Sequence, residues 1–541
     1  MKNLFKKTVW ILFYLLIFSY LIFNSFHYLD ADLGWHLKVG EEILRNKAVP
    51  SLDLYDFSLA GKEWIDHEWL LNLVTFVIFD NFGYLSLNIF FALIIILTLL
   101  SNLFLVKKYY LKKDFHNPLS IRQTCLIMSS QLLGVMAMAP HLGVRMQEIT
   151  LLFLSILLII LADYQEKRRY SHLFFLLPLF YFWASAHAGF LIGLFILALF
   201  WFYQACLYIN QRFNLISSIH FGEGLPLKNL WILFLFILLA VNSTLLTPYG
   251  IKLYFFLSEY TNTFYMKLIA EWLPAYYLPI QYKQLLYLAI ATCALLLYSI
   301  EKYFSWRKKE KPQINLWLLG LSLLFIILSF KSKRHFPLFF VSSFPFLILL
   351  GEKFLVYPPH FFDNLKNNRI IKVYLVAGLI LTSLNLIFMT SFTKNPFNRQ
   401  SYCEVFPCEA TRFLENNSKQ AGKRLFNAYD WGGYLIWTNP GQKIFIDGRL
   451  PQYKFANHTL LEEYLEFFKE GKAKEMLDKY EINQVLYKKP VEPEVNSFEK
   501  KILAVTDKEK DQYFFQDYLK NSPDWKLVYE DKLCLIYDRV K

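Results

Sequence analysis

The stretch Leu29-Asp30-Ala31-Asp32-Leu33-Gly34-Trp35-His36-Leu37 follows directly on an apolar run, Val9 to Phe26. That run is long enough to be a membrane helix. Two carboxylates, a tryptophan and a histidine therefore stand where a helix leaves the bilayer. Ionisable groups at such a boundary are costly, and they usually pair with one another or bind a substrate. We interpret this stretch as the front of an active site that faces away from the cytoplasm.

The composition of the 541-residue chain predicts a polytopic membrane part followed by a soluble domain. Hydrophobic residues make up 55% of the chain, whereas soluble proteins average about 45–50%. Long apolar runs recur as far as Thr390, and short runs with dense mixed charge follow. From residue 391 onward there are 24 Lys+Arg and 23 Asp+Glu, so +12 of the net charge of +13 belongs to the membrane part. These basic clusters lie between apolar runs, where they act as topology signals, and we expect no nucleic-acid partner.

Eleven apolar runs are candidate membrane spans: about 9–27, 84–106, 120–139, 149–163, 172–186, 188–209, 229–246, 284–300, 314–330, 336–350 and 371–391. The run Trp69–Phe79 has only 11 residues, too few to cross a core of about 30 Å at about 1.5 Å per residue. If it lies in the interface and the N-terminus is cytoplasmic, the basic clusters at 107–113, 167–169, 307–311 and 366–372 all fall inside, as the positive-inside rule requires. The prediction is a multi-pass protein of the inner membrane.

The predicted fold is a polytopic α-helical membrane domain over 1–391 with a C-terminal extracytoplasmic α/β domain over 392–541. The first outer loop, 28–83, carries interfacial helices over 35–44 and 67–79, with a turn at 53–58 between them. In the C-terminal domain, strands are expected at 425–427, 443–446, 484–487 and 532–537, and a helix at 459–480. Cys403 and Cys408 bracket a short loop that a disulfide can close.

This topology gathers polar residues from separate segments at the outer face. They are Asp30, Asp32, His36, Asp66, His67, Glu68, Arg145, Gln147, Glu148, His187, Glu271, Trp272, Arg334 and His335. Simpler interpretations stay open for some of them: His187 as a packed histidine, Arg334 as a snorkelling anchor, and Glu271 as a helix cap. Together they are typical of groups that bind a substrate at the membrane edge.

The motif Asp30–Leu37, followed by Pro50, Asp53, Trp64 and Trp69, resembles the first outer loop of the GT-C glycosyltransferases. These membrane enzymes take sugars from polyprenyl-phosphate or polyprenyl-pyrophosphate donors. The oligosaccharyltransferase catalytic subunits resemble this chain most, and the protein O-mannosyltransferases and lipid A aminoarabinose transferases less. The resemblance implies a catalytic first-loop aspartate, often acting through a divalent metal, and Asp32 and Asp30 are the matching positions.

A second motif, Tyr429-Asp430-Trp431-Gly432-Gly433-Tyr434-Leu435-Ile436-Trp437, precedes Asp447-Gly448-Arg449. It is similar to the Trp-Trp-Asp-Tyr-Gly region with which oligosaccharyltransferases help hold the acceptor. The resemblance implies an acceptor-side role for Asp430, Trp431, Tyr434, Asp447 and Arg449. The paired tryptophans are absent, and the second outer loop has Arg145-Met146-Gln147-Glu148 in place of the family's Asp-x-Asp pair.

The residue types at the outer face suit glycosyl transfer from a lipid phosphate. Asp30 and Asp32, with Glu148, are candidate ligands of Mg²⁺ or Mn²⁺, or a carboxylate acts as general base on the acceptor. Arg334, His335 and Arg145 are candidate phosphate ligands. The further catalytic candidates are His36, His67, Glu68 and Glu271, and without a metal His36, His67 and His335 would supply positive charge or a proton.

Two functions remain open from the sequence. The first is transfer of a sugar or oligosaccharide from a lipid-linked donor to a protein, lipid or glycan acceptor. The alternative is a transporter or envelope-assembly protein that keeps the fold without the chemistry. Transporters place ionisable groups near the bilayer midplane, whereas the charges here cluster at one face, which favours the enzyme.

Overall fold

The computed structural model describes residues 2–27, 29–114, 117–259, 265–308, 311–354, 402–417, 423–489 and 510–540. The predicted span 371–391, the basic cluster at 366–372 and the domain boundary at 391 lie outside these residues. The chain divides into two compact units. The first comprises residues 1–28, 88–250 and 270–391, and the second comprises 29–87, 251–269 and 392–541.

The helices of the first unit are α1 (Lys2–His27), α4 (Tyr84–Leu105), α5 (Ile121–Met138), α6 (Glu148–Lys167), α7 (Leu176–Ala186), α8 (Phe190–Phe213), α9 (Leu227–Thr244), α12 (Tyr282–Arg307), α13 (Leu316–Lys331) and α14 (Phe336–Phe354). In the second unit are α2 (Leu33–Asn46), α3 (Trp69–Phe82), α10 (Lys252–Glu259), the single turn α11 (Tyr265–Leu268), α15 (Cys408–Asn416), α16 (Gly432–Thr438), α17 (Leu460–Glu466), α18 (Ala473–Lys479) and α19 (Lys510–Asn521).

Seven helices among the described residues are long and apolar enough to cross a membrane. They correspond to α1, α4, α6, α8, α9, α12 and α14. The predicted spans at 120–139, 172–186 and 314–330 are also helical, as α5, α7 and α13, but they are shorter or more polar. For example, α7 has 11 residues and follows six residues of 3-10 helix. Pro178 lies in its first turn, where proline is tolerated because that N–H would have no helical partner.

The short apolar run at the end of the first outer loop forms α3, a helix of 14 residues. This length agrees with an interfacial helix, since 14 residues extend only about 21 Å at about 1.5 Å each. It packs closely on α2: a Cβ on Gly40 would lie 2.2 Å from the carbonyl oxygen of Asn72. The predicted helix at 35–44 is confirmed as part of α2.

The second unit contains a four-stranded sheet with the order β1-β2-β4-β3, formed by β1 (Leu425–Asn427), β2 (Gln484–Lys488), β3 (Trp525–Glu530) and β4 (Cys534–Arg539). β1 and β2 are parallel, and the other pairings are antiparallel. Phe426 on β1 stacks on Tyr464, with ring centroids 5.4 Å apart, so α17 covers this part of the sheet. Cys403 and Cys408 form a disulfide.

Two sequence predictions for the second unit are wrong in detail. Of residues 443–446 only Ile444 forms isolated bridges, to Asp56 and Leu425, and there is no strand. The reason is Asn427, whose Oδ1 accepts the backbone N–H groups of Phe445 and Ile446 at 3.0 and 3.3 Å and so takes the place of a strand partner. The single helix expected at 459–480 is two helices, α17 and α18. Between them Gly471 has φ +73°, a left-handed conformation that ends a helix.

The predicted orientation can be tested by cysteine labelling in intact cells, in a background without the four free cysteines. Lys112 and Lys526 are both exposed positions. We expect a membrane-impermeant maleimide to label Lys526→Cys and not Lys112→Cys until the cells are lysed. Labelling of Lys112→Cys from outside would invert the topology and make α3 a span.

Candidate active site

The loop between the first span and α2 presents two carboxylates at the start of a helix. Asp32 is the N-cap residue of α2, and its backbone N–H donates to Oδ1 of Asp30 at 2.9 Å. Its carbonyl oxygen accepts the first helical hydrogen bond from His36 at 3.2 Å. Both aspartates are partly accessible, and a helix N-terminus is a favourable position for negatively charged groups of a protein or a ligand.

The second sequence motif packs directly against this loop. A Cβ on Gly34 would lie 2.1 Å from the carbonyl oxygen of Gly433, and a Cβ on Gly433 would lie 2.4 Å from that of Ala31. At Gly448 a Cβ would lie 2.2 Å from Oδ1 of Asp32. The glycines of the two motifs are therefore needed because backbone meets backbone. The structure brings together the first-loop aspartates and the C-terminal motif, which the sequence separates by about 400 residues.

A buried polar chain links α2 to α3. The imidazole Nδ1 of His36 lies 2.6 Å from Oδ1 of Asn72, whose amide nitrogen donates to both carboxylate oxygens of Asp66 at 3.0 and 2.9 Å. Since that amide oxygen can only accept, Nδ1 of His36 carries the hydrogen. Burial lowers the pKa of His36 to about 4, against the smaller opposing effects of Asn72 and Asp30. His36 is thus neutral at neutral pH and is no source of positive charge.

His67 and Glu68 lie beside this chain at the start of α3. The Glu68 carboxylate is 3.9 Å from Nδ1 of His36 and 3.8 Å from Nε2 of His67. Glu68 is buried, whereas the His67 side chain is about one-fifth exposed and its ring lies 5.9 Å from that of Phe256. Of the two histidines predicted in this loop, only His67 has access to solvent.

Arg449 lies at the centre of a buried ionic cluster. Its guanidinium pairs with Asp447, with Asp53 at 2.8 Å and with Asp56 at 3.7 Å, and all four side chains are buried. Its Cζ atom also stacks over the rings of Tyr55 and Trp64, at 4.6 and 4.7 Å. Arg449 lies in the segment that connects β1 to β2, and its ion pairs with Asp53 and Asp56 hold the first outer loop against that segment.

The buried ionic cluster contains three carboxyl groups and one guanidinium group, and this imbalance shifts the pKa values of its aspartates. Burial raises the pKa of Asp53, with Arg449 opposing it and Asp447 adding to it. Burial also raises the pKa of Asp56 well above its usual range, and the neighbouring Asp447 and Asp53 carboxylates add to the effect. One guanidinium cannot neutralise three buried carboxylates, so the surroundings favour the protonated forms of Asp53 and Asp56.

Most of the predicted acceptor-side residues are buried, which does not fit the role expected of them. Trp431 is fully buried and its indole N–H donates to the carbonyl oxygen of Val405 at 3.0 Å. Tyr434 is buried against Phe406, with ring centroids 5.2 Å apart. Only Asp430 is exposed, where it pairs with Lys488. We therefore correct the assignment: Trp431, Tyr434, Asp447 and Arg449 form the scaffold, because a buried, fully engaged side chain cannot reach an acceptor.

In the first unit, three segments bring two arginines to one carboxylate. Arg145 pairs with Oε1 of Glu271, and Nη1 of Arg334 lies 3.6 Å from Oε2 of the same carboxylate. Nη2 of Arg334 donates to Oε1 of Gln147 at 3.0 Å, and its Cζ lies 4.9 Å from the Trp272 ring centroid. The backbone N–H of Arg334 also donates to the Glu271 carbonyl at 3.0 Å. We call Arg145, Glu271 and Arg334 the arginine cluster.

The arginine cluster carries a net positive charge and is partly open. The side chains of Arg145, Arg334 and Glu271 are 17%, 28% and 31% exposed. Burial alone would raise the pKa of Glu271, but Arg145 and Arg334 outweigh it and lower that pKa to about 2. Glu271 is therefore a permanent anion that orients two cations, and the general acid or base role expected of it does not fit.

The remaining predicted residues of the first unit serve structural contacts. Glu148 is buried, and its Oε1 accepts the Gly143 N–H at 2.6 Å, which secures the loop that carries Arg145. This buried use of its carboxylate does not fit the metal-ligand role expected of it. His187 is partly exposed, and its Nδ1 lies 2.8 Å from Oγ1 of Thr150. The ring of His335 packs edge-on to that of Trp272 at 6.0 Å.

The buried Asp66 predicts a pH-dependent effect on stability. Burial raises its pKa to about 6, although hydrogen bonds from Asn72 and Glu68 oppose the shift. A raised acid pKa costs stability above about pH 6, and the cost disappears as the pH falls toward 4. We expect Asp66→Asn to lower the melting temperature less at pH 7.5 than at pH 5.

The measurement is thermal unfolding of the full-length protein in detergent at both pH values. Comparison with wild type at each pH cancels the lowered pKa of His36, which by itself makes the fold less stable as the pH falls from 6.5 to 4. Asp80→Asn, at an exposed position of α3, is the control and should change little at either pH. An equal loss for Asp66→Asn at both pH values would contradict the prediction.

Several contacts of the site were not predicted from the sequence. Asn72 was missed, although a lone amide within the apolar run at 69–79 was a usable signal for a buried polar partner. Asp53 was noted only as part of the resemblance and of the turn at 53–58, and Asp56 only as part of that turn. Nothing in their spacing reveals that Arg449, almost 400 positions later, is their partner.

Comparison with known proteins finds similar structures but no similar sequences. No protein-family model matches the chain, and no curated protein sequence is significantly similar to it. The structure is similar to that of the archaeal oligosaccharyltransferase AglB from Archaeoglobus fulgidus in complex with an inhibitory peptide and a dolichol-phosphate. That similarity has a TM-score of 0.50 at 13% identity, over 90% of this chain and 69% of that one.

Two further structures are similar at lower scores. The apo form of the Archaeoglobus fulgidus oligosaccharyltransferase has a TM-score of 0.49 at 12% identity, over 87% of this chain and 69% of that one. ArnT from Cupriavidus metallidurans bound to undecaprenyl phosphate has a TM-score of 0.47 at 11% identity, over 99% and 97%. The first similarity is the one that identifies the fold. The chain is a multi-pass membrane protein with the GT-C fold and a C-terminal sheet domain, as the sequence predicts.

Proposed function

We propose that this protein is a membrane glycosyltransferase. It transfers a sugar or an oligosaccharide from a polyprenyl-phosphate- or polyprenyl-pyrophosphate-linked donor to an acceptor on the extracytoplasmic face. The observation that carries the proposal is the arginine cluster, in which two guanidinium groups share one carboxylate in a partly exposed position. The fold supports it, since the archaeal oligosaccharyltransferase with that fold binds a dolichol-phosphate.

The arginine cluster has the properties of a preformed phosphate site. Two guanidinium groups against one carboxylate leave one positive charge, which a phosphate ester or diester neutralises. Glu271 and Gln147 hold Arg334 in place before the ligand arrives, and the contact with Trp272 fixes its plane. Guanidinium groups bind phosphate oxygens with paired hydrogen bonds, which a lysine ammonium cannot reproduce. The cluster would therefore bind the donor phosphate and stabilise it as it leaves.

The carboxylates at the start of α2 would activate the acceptor. In the reaction, the acceptor heteroatom forms a bond to the anomeric carbon while the bond from that carbon to the phosphate oxygen breaks. The acceptor's proton passes to Asp32, which is partly accessible and begins a helix. Asp30 accepts the Asp32 N–H and positions it. A general base within reach of the acceptor typically contributes about 10²–10⁴ in rate.

A divalent cation could bind to the loop that carries Asp30 and Asp32 if substrate phosphates and water complete its ligands. No group of three or more His, Cys, Asp or Glu residues suited to a metal occurs among the described residues. Mg²⁺ is, however, often bound by one or two carboxylates together with substrate phosphates and water, and Asp30 and Asp32 meet that requirement without Glu148. When bound there, Mg²⁺ or Mn²⁺ would neutralise negative charge on the leaving phosphate.

A transporter or assembly role is less well supported by the structure. Such a protein would be expected to hold its substrate near the membrane midplane, on interrupted helices. Here the arginine cluster is built from segments between spans: residues 139–148 precede α6, residues 270–281 precede α12, and residues 332–335 precede α14. Transfer of the sugar from a lipid-linked donor to an acceptor would distinguish the enzyme from a transporter, which would move the donor intact.

Substituting Arg334 tests the phosphate site directly. We expect Arg334→Lys to weaken binding of undecaprenyl phosphate by about 1.5–3 kcal/mol, the range for a hydrogen bond to a charged group, since the positive charge stays and the planar fork is lost. Binding is measured by microscale thermophoresis of the full-length protein in detergent. Arg307→Lys, at the exposed end of α12, is the control. If Arg334→Lys binds as tightly as wild type, Arg334 is a membrane anchor and the phosphate assignment is wrong.

A further inference from the structure

A groove of about 890 Å³ lies between membrane helices α1 and α4 and the start of α5. It belongs entirely to the first unit and is separate from the arginine cluster. Ile11, Leu15 and Phe18 of α1 line one side, and Leu93 and Leu100 of α4 line the other. Leu15, Leu93 and Leu100 expose 47%, 46% and 39% of their surfaces. These apolar side chains form a wall suited to a hydrocarbon chain.

The groove has a basic end. Lys7 stands near the start of α1, and Lys107 stands just after α4 ends, so both line the groove at the same end. Neither lysine has an ion-pair partner among the residues that the structure describes. By contrast, Lys112 nearby already pairs with Glu166 at 2.8 Å. Two ammonium groups at the mouth of an apolar groove complement an anionic head group on an apolar tail.

Among the groove-lining residues that the structure describes, the single acidic side chain is already engaged. Asp114 also lines the groove, but its Oδ1 accepts the backbone N–H of Asn117 at 2.7 Å and so fixes the turn before α5. With Lys7 and Lys107 present, the end keeps a net positive charge. Trp10 and Tyr14 line the groove just inside it, with stacked rings 5.8 Å apart. Aromatic side chains prefer this level of the membrane, where the head groups meet the hydrocarbon.

The depth of the groove matches one leaflet of a bilayer. Lys7 and Phe18 are 11 positions apart on α1, which corresponds to about 16 Å at about 1.5 Å per residue. Lys107 and Leu93 are 14 positions apart, or about 21 Å. The hydrocarbon core is about 30 Å thick, so one leaflet is about 15 Å deep. A groove of this depth accommodates the acyl chain of a phospholipid rather than the longer chain of a polyprenyl phosphate.

We propose that this groove binds one phospholipid with a negatively charged head group. Its phosphate lies between Lys7 and Lys107, and one acyl chain lies along α1 and α4. In the predicted topology the N-terminal end of α1 is cytoplasmic, so the lipid comes from the inner leaflet. Basic pockets between membrane helices on that side are suited to anionic head groups. The site goes beyond the proposed glycosyl transfer and does not depend on it.

The test is native mass spectrometry of the full-length protein after incubation with equal amounts of dioleoyl-phosphatidylglycerol and dioleoyl-phosphatidylcholine. Wild type should retain one phosphatidylglycerol in preference to phosphatidylcholine, by about thirtyfold for two lysines close to an anionic lipid. The double variant Lys7→Gln/Lys107→Gln should retain the two lipids equally. Arg307→Gln/Lys311→Gln removes two exposed positive charges elsewhere and should keep the preference.

A second variant tests the contribution of the apolar groove to lipid binding separately from the contribution of the two lysines. Leu15→Trp fills the groove at a half-exposed position and leaves both lysines in place, so retention of phosphatidylglycerol should fall by about tenfold. Equal retention of both lipids by wild type would overturn the proposal. Two other results would also overturn it: a preference that survives in Lys7→Gln/Lys107→Gln, or displacement of phosphatidylglycerol from wild type by an equal amount of undecaprenyl phosphate.

Discussion

Asp32→Asn is expected to lower the rate of glycosyl transfer by about 10²–10⁴, the usual contribution of a general base. The substitution keeps the size and shape of the side chain and removes only its charge and basicity. It should not disturb folding, since Asp32 caps α2 through its backbone and makes no capping hydrogen bond through its side chain. The measurement is product formed at matched protein levels in proteoliposomes.

Asp30→Asn is the matched control for that experiment. Oδ1 of Asp30 accepts the Asp32 N–H, and an asparagine keeps an oxygen at that position. The loop should therefore stay in place, and we expect a loss of no more than about tenfold. Full activity in Asp32→Asn would contradict the assignment of the general base. The opposite order of effects would move that role to Asp30.

Arg449→Met is expected to destabilise the protein by about 3–5 kcal/mol, the cost of leaving buried charges without their partner. Asp53, Asp56 and Asp447 would remain buried together without a cation. The effect should be smaller at pH 5 than at pH 7.5, because the raised pKa values of Asp53 and Asp56 allow protonation to relieve the repulsion. Unfolding of the full-length protein by denaturant measures the loss.

Arg412→Met provides the control for this substitution. Arg412 is about half exposed and pairs with Glu409 one turn earlier in α15, a surface pair whose loss typically costs less than about 1 kcal/mol. A loss below about 1 kcal/mol for Arg449→Met would contradict the scaffold role. If transfer fell sharply while stability stayed normal, Arg449 would contact the acceptor, as the sequence motif had implied.

The helices were predictable because their signals are local. The run after the first span places aspartates before α2, and the short apolar run 69–79 predicts the short helix α3. The absence of a regular strand at 443–446 was not predictable in the same way. The apolar residues at 444–446 favour a strand, but the side chain of Asn427 accepts two of the backbone N–H groups, and only the folded chain shows that competition.

The sequence predicted which residues belong to the candidate site better than it predicted what each of them does. The sequence singled out Arg145, Glu271 and Arg334 separately, and the fold brings them together. It gave Arg449 a place near the acceptor, whereas burial assigns it to the scaffold. A sequence motif preserves residue types without showing which way a side chain points. Charge partners that are hundreds of positions apart become visible only in three dimensions.

The central claim is tested most directly by following the sugar of a lipid-linked donor. Full-length protein is reconstituted in proteoliposomes with radiolabelled polyprenyl-linked saccharides extracted from bacterial envelopes, and envelope material is added as acceptor. Wild type should move label from the lipid to the acceptor and release polyprenyl phosphate or pyrophosphate, and Asp32→Asn should not. Label that crosses the membrane, or stays, on intact lipid-linked saccharide in wild-type liposomes would contradict glycosyl transfer and favour a transporter.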